Sequence, residues 1–384
     1  MKCDVFRVAI TAPDDVAGVL ELIEGGQLAP RDVVAVLGKT EGNGCVNDYS
    51  RGLAVRSLTE LFAGHVGEDG ARRILYIMSG GTEGVLCPHL TVIARTPDRE
   101  VSPSVRKALA VGVARTPTLG PEQIGRTAQA ILVSDAVRAA MVDARIDRAD
   151  DVHFIQVKCP LLNTEALMAA EARGLTTVTD DTYKSMGYSR GASSLGIALA
   201  LGEIDVADVT DDTICRRWDR YSSVASASAG SEVSQCEVLI LGNSEYATGD
   251  LVVAHDVMRD AIDVAAVRRA ATRAGYADEP TRARDAERAG RAVQFVQAFA
   301  KAEADPGGRV RGRRHTMLSD SDINHTRHAR AVVGGVVASY FGDTMIYVSG
   351  GAEHQGPSGG GPVAVIVRRL PVELAPSTNS KGLT

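Results

Sequence analysis

Aromatic side chains are scarce: they make up 4% of 384 residues, with one Trp, against 39 glycines. A core with so few rings must be built from small aliphatic side chains, with backbones packed closely and many tight turns. No window approaches the ~18 apolar residues of a membrane span. The start, MKCDVFRVAITAPDD, has neither a signal-type apolar core nor a small-residue cleavage site. A cytoplasmic protein with no membrane partner is expected. Charge of one sign is also lacking, since the formal net charge is only -6, so there is no electrostatic footprint for nucleic acid. The one basic run, Arg309 to Arg314, is short and reads as a solvated loop. No CxxC pair occurs among Cys3, Cys45, Cys87, Cys159, Cys215 and Cys236. That spacing argues against a disulfide framework and for reduced, mostly buried thiols.

What the sequence does have is length and repetition. A chain of 384 residues exceeds one core and predicts two or three domain-sized units. Three apolar runs end in lysine: VVAVLGK at Lys39, VHFIQVK at Lys158 and FVQAFAK at Lys301. Each is followed by a hydroxyl residue preceding arginine, in NDYSRGLA (Arg51), MGYSRGAS (Arg190) and INHTRHAR (Arg327). Each unit then closes with a serine after an apolar or small-residue run: Ser79, Ser228 and Ser349, with Glu83, Glu232 and Glu353 four residues on. The order Lys, Arg, Ser thus occurs three times, which chance produces far less readily than any one motif. The predicted architecture is α/β: three structurally similar units with pseudo-threefold symmetry, spanning 1–103, 104–250 and 251–384. In each, strands alternate with amphipathic helices. Gly25 and Gly26 should stop the first helix, which Asp14 or Asp15 could cap. The stretch from Ala270 to Arg291 reads as a solvated helix and loop.

Several familiar motifs fail. LGKT at Leu37 to Thr40 lacks the leading glycine of a phosphate loop, with Val33 in its place. Ser104 and Lys107 form SxxK without its partner strings. His315, His325 and His328 lack a zinc spacing. GPSGGGP near the end reads as a turn.

A serine hydroxyl is a poor nucleophile until a base removes its proton, and lysine can serve when burial or nearby cations lower its pKa. Arginines supply such cations and also clamp carbonyl oxygens. Glycines after the serines let backbone N–H groups approach a ligand oxygen. Taken singly, a strand-end lysine, a post-turn arginine and a Ser-Gly-Gly are most often structural, but three copies in fixed order argue for one shared pocket. Its natural guest is a small cyclic amide with repeated carbonyls.

The strings VLGKTEGNGCVNDYSR, SGGTEG, GRVRGRRHTM, SDINHTRHARAVVGG and SGGAEHQGP resemble the cyanuric acid hydrolase and barbiturase family of cyclic amidases, over essentially the whole chain. The resemblance implies a triangular-prism arrangement with one central active site, a homotetramer, and a serine–lysine mechanism with no catalytic cofactor. It makes Ser228 the nucleophile and Lys158 its base. It assigns substrate binding to Ser79, Ser349, Lys39, Lys301, Arg51, Arg190 and Arg327, with Gly80, Ala229 and Gly350 as backbone donors. Arg330 rivals Arg327 as the third clamp, and Ser226 rivals Ser228. A structural Mg²⁺ or Ca²⁺ is implied on Glu303, Ala352, Gln355, Gly356, Pro357 and Gly360. The implied reaction opens cyanuric acid to carboxybiuret, then biuret and CO₂. Its alternatives are ring opening of barbituric acid and non-catalytic binding of small planar metabolites.

Overall fold

Three four-stranded sheets carry the molecule, and all three have the same internal order. The computed structural model describes residues 1–97, 102–276 and 293–370. The first sheet holds β1 (Lys2–Ala9), β2 (Val33–Thr40), β3 (Leu75–Gly80) and β4 (His89–Thr96) in the order β1-β4-β2-β3. The second holds β5 (Ala108–Arg115), β6 (Val152–Pro160), β7 (Ala225–Gly230) and β8 (Glu237–Ser244) in the order β5-β8-β6-β7. The third joins β9 (Leu251–Met258), β10 (Val293–Ala302), β13 (Tyr347–Gly350) and β14 (Gly361–Arg369) as β9-β14-β10-β13. Between β10 and β13 lies a small hairpin, β11 (Arg309–Val310) and β12 (Arg313–Arg314). The basic run expected as a loop is therefore a hairpin. Arg311 and Gly312 turn it with positive φ, and Arg311 pairs with Asp260 at 2.9 Å.

In each sheet the second and third strands are parallel, and parallel neighbours require a crossover connection. Helices supply it: α2 (Tyr49–Arg73) after β2, α5 (Thr182–Leu201) after β6 and α7 (His325–Phe341) after β10. All three begin at a side-chain cap of the expected kind: Asp48 accepts from Ser50 N–H, Asp181 from Lys184 N–H and Asn324 from Thr326 N–H. Other helices are α1 (Ala17–Glu24), α3 (Thr127–Ala144), α4 (Thr164–Glu171) and α6 (Val264–Ala274). α1 ends at Gly25 as expected, though its N-cap is Val16. The Ala270–Arg291 stretch contributes the end of α6 with its Gly275 cap and the buried Tyr276, and residues 277–291 lie outside the described residues.

The helices cover one face of each sheet. The other faces meet in a core drawn from all three, including Leu37, Ile77, Phe154, Leu239, Phe299 and Tyr347. Three of the few rings meet here: Phe154 stacks on Phe299 at 4.8 Å and Phe299 contacts Tyr347 at 5.6 Å. Cys3, Cys159 and Cys236 are buried, the other three cysteines are partly so, and all six are unpaired. Among the described residues no helix is long and apolar enough to cross a membrane.

Candidate active site

Parallel pairing sets the site. In the same register on each sheet, Lys39 lies opposite Ser79, Lys158 opposite Ser228 and Lys301 opposite Ser349. Adjacent strands are ~4.8 Å apart, so each lysine is carried to its serine by the ladder itself. Lys39 Nζ is 3.1 Å from Ser79 Oγ, and Lys301 Nζ is 3.1 Å from Ser349 Oγ. The middle pair differs. Lys158 Nζ donates to the Met78 carbonyl at 2.9 Å and lies 2.7 Å from Glu232 Oε1, while Ser228 Oγ accepts from Gln156 Nε2 at 3.2 Å.

All three lysines are buried, and burial disfavours an ammonium. Burial, reinforced by Arg330, takes Lys39 well below the ordinary lysine range. Burial and then Arg190 bring Lys301 to about 7. Lys158 is lowered too, by burial, against the opposing pull of Glu232.

Three arginine–glutamate pairs surround the lysines, each joining two units. Arg51 Nε of the first unit is 3.3 Å from Glu232 of the second. Arg190 of the second clasps Glu353 of the third through two bonds, 2.7 and 2.6 Å. Arg330 of the third donates Nε to Glu83 of the first at 2.8 Å, with a second bond from Nη2. The cycle closes. Burial alone would raise these carboxyls, yet their cationic partners hold Glu83, Glu232 and Glu353 below the usual glutamate range.

On the third unit it is Arg330, the rival in sequence, and not Arg327 that lines the central cavity. Both are on α7, but the Arg330 side chain is 4% exposed and lines the central cavity, while Arg327 is 41% exposed and reaches Glu83 only at 3.3 Å. Ser79, Ser228 and Ser349 line that cavity with Arg51, Arg190 and Arg330. Gly80, Ala229 and Gly350 border it as well. Two neighbouring glycines make room for guanidinium groups. A Cβ on Gly81 (φ 97°) would lie 2.4 Å from Arg330, and one on Gly351 (φ 76°) 2.6 Å from Arg190. The glutamates were visible in sequence as a shared spacing, but nothing local indicated a partner. Gln156 carried no signal at all.

The expected cation position passes a chemical test. Glu303 is half-buried and accepts from Ala352 N–H, and desolvation together with Glu353 raises its carboxyl to about 7. A cavity of about 80 Å³ lies against Glu303, Ala352 and Gly356. The Gln355 side chain is occupied, its Oε1 accepting from Ala227 N–H at 2.8 Å, which leaves its main-chain oxygen. Gly360 N–H meets the Pro357 carbonyl at 2.9 Å in the same loop. One carboxylate plus main-chain oxygens suits a hard cation. Among the described residues no three His, Cys, Asp or Glu side chains cluster as a metal site. His328 instead pairs with Asp320 at 2.9 Å, and Lys107 of the SxxK string pairs with Asp151 at 2.6 Å.

Residues 4–368 match the family described as amidohydrolase ring-opening protein. The chain belongs to that family. It is 52% identical over 375 residues to a cyanuric acid amidohydrolase of Enterobacter cloacae, covering 96% of this chain and 100% of the relative. It is 54% identical over 369 residues to one of Rhizobium leguminosarum bv. trifolii, covering 96% and 99%. A solved cyanuric acid hydrolase, described as an innovation by structural concatenation, superposes with a TM-score of 0.89 at 52% identity, covering 96% and 99%. The hydrolase from A. caulinodans gives 0.87 at 50% identity, covering 95% and 98%.

Proposed function

We propose that the chain hydrolyses cyanuric acid, and the observation that carries this is the threefold set of arginine and serine lining one cavity, each serine in register with a buried lysine. A ring with three equivalent carbonyls matches three equivalent clamps, and guanidinium is the group suited to them. Ser228 Oγ attacks one ring carbonyl while its proton passes to Lys158. Lys158 reaches its register partner by turning from the Met78 carbonyl. Glu232, beside Lys158, balances the charge that the proton brings. The ring C–N bond breaks, the departing nitrogen takes the proton back, and an acyl-serine remains. Water then cleaves the ester to carboxybiuret, which loses CO₂ to leave biuret. Lys39 with Ser79 and Lys301 with Ser349 hold and polarise the other two carbonyls.

A divalent cation would be held by Glu303 and the main-chain oxygens of Ala352, Gln355, Gly356, Pro357 and Gly360. It would pin the loop bearing Ser349 and supply no chemical step. The seams between units are placed near residues 103 and 250.

The direct Lys–Ser contacts in the first and third units favour a second reading, in which Ser79 or Ser349 attacks. Three single alanine variants decide between them, followed by loss of ring ultraviolet absorbance with cyanuric and with barbituric acid. Ser228→Ala is expected to lower kcat by ~10⁴-fold or more, as loss of a nucleophile does, while Ser79→Ala and Ser349→Ala mainly raise KM. Turnover retained by Ser228→Ala refutes the assignment. Faster opening of barbituric acid by the wild type would move the substrate, and turnover of neither ring would make this a binding protein.

A further inference from the structure

The three Lys–Ser pairs share a register but differ one layer deeper. Two residues before each lysine and each serine, the same sheet face carries Leu37 and Ile77 in the first unit and Phe299 and Tyr347 in the third. In the second unit those places hold Gln156 and Ser226. All six side chains are fully buried. A carboxamide and a hydroxyl in such a layer are costly unless every donor finds an acceptor, and here the bonds run in one direction. Ser226 Oγ donates to Gln156 Oε1 at 2.6 Å. Gln156 Nε2 donates to the Val157 carbonyl at 3.2 Å and to Ser228 Oγ at 3.2 Å.

The Val157 carbonyl orients the amide. A carbonyl only accepts, so the nitrogen must face it, and that same nitrogen faces Ser228. Turning the amide over would set two carbonyl oxygens against each other. Ser228 Oγ is therefore an acceptor, and its own proton stays free for a base. A donor aimed at an oxygen that becomes anionic favours the charged form, more so in a site closed to water. Behind Ser79 and Ser349 these positions hold Leu37, Ile77, Phe299 and Tyr347, and although the Tyr347 hydroxyl approaches Ser79, neither serine has an amide N–H donor there.

Resting on the reading that Ser228 attacks, we infer that Gln156 is a further catalytic residue, the N–H donor to the attacking oxygen. With Ser226 as the positioning residue that orders it, Gln156 selects the middle serine of three. The symmetric cavity is thereby given one reactive corner.

The test uses the full-length chain. Gln156→Met keeps the volume and removes the donor. Its kcat should fall ~100-fold with KM within about twofold, the lower end of the loss seen when one oxyanion-type donor is removed. Ser226→Ala, which leaves the amide in place but less ordered, should lose about threefold to tenfold. A readout independent of turnover is labelling by methanesulfonyl fluoride with peptide mass mapping. Gln156→Met should slow adduct formation at Ser228 and leave Ser79 and Ser349 at their wild-type rates. Unchanged kcat in Gln156→Met, or equal slowing at all three serines, overturns the inference. If Gln156→Met does not fold, unchanged kcat and labelling in Ser226→Ala overturn it instead. The Ser228→Ala variant separates the two levels: if it is inactive while Gln156→Met is fully active, only the role of Gln156 falls. If Ser228→Ala turns over normally, the nucleophile assignment falls first.

Discussion

At the scale of single residues, depth separates groups that look equivalent in sequence. Arg327 and Arg330 are one helical turn apart on α7, and both approach Glu83. Only Arg330 is withdrawn from water, paired twice and set against the cavity. A surface pair is screened and contributes little, whereas removing one partner of a buried pair leaves a stranded charge. Arg330→Lys, which loses the planar two-bond geometry, should lower kcat/KM by ~100-fold, and Arg327→Ala should stay within about threefold. Steady-state kinetics on the two variants checks this, and equal losses would contradict the assignment. The same logic explains why Arg327 looked the better candidate in sequence: it follows a hydroxyl residue, as Arg51 and Arg190 do, while burial is not written in the motif.

At the scale of elements, the seams between sheets are laced with neutral histidines. His153 on β6 and His255 on β9 face each other, Nδ1 to Nδ1 at 2.9 Å. One ring must donate and the other accept, which requires at least one neutral imidazole. Around them lie Asp151 with Lys107, and Asp256 with Arg269 and Arg273. On β4, His89 meets the Cys87 carbonyl at 2.8 Å and Gln297 of β10 at 3.3 Å. Burial takes all three to about 4. Their folded pKa lies below the unfolded value near 6.5. The unfolded chain therefore binds the extra protons, and stability, full above pH ~6.5, is lost progressively as pH falls towards 4. Thermal melts across that range should show Tm falling with pH, and His153→Gln should flatten the dependence. An equal slope in the variant would remove the pair from the account. β6 was legible as an apolar run, but its meeting with β9 was not, since it depends on how two sheets face one another.

At the scale of the whole molecule, the third unit holds the second by one loop. Ser222 N–H meets the His354 carbonyl at 3.0 Å, and Gly356 N–H returns to the Ser222 carbonyl at 3.0 Å. Gln355 takes Ala227 N–H, and Lys301 donates to the Ala227 carbonyl at 2.9 Å. The residue before Ser228 is therefore gripped from the neighbouring unit on both sides of its peptide. A cation on Glu303 would stiffen this loop, and a ligand bound only by the folded state stabilises it. A strong chelator should lower Tm by roughly 5 °C, with recovery on adding Mg²⁺ or Ca²⁺. A melt unchanged by chelation and by both ions would remove the cation.

Sequence alone determined the triplication, the strand-end lysines, the glycine stop of the first helix and the serines before their turns, because each of these follows from local periodicity and short-range hydrogen bonding. Tertiary structure decided what those residues touch. The Arg51–Glu232, Arg190–Glu353 and Arg330–Glu83 pairs, the burial of Arg330 over Arg327, and the grip on Ala227 all join different thirds of the chain. Even the Gln156–Ser228 contact, though within one unit, spans two strands separated by 72 positions. Such contacts arise only when three sheets close around a common core, and no local pattern encodes which side chain then points inward.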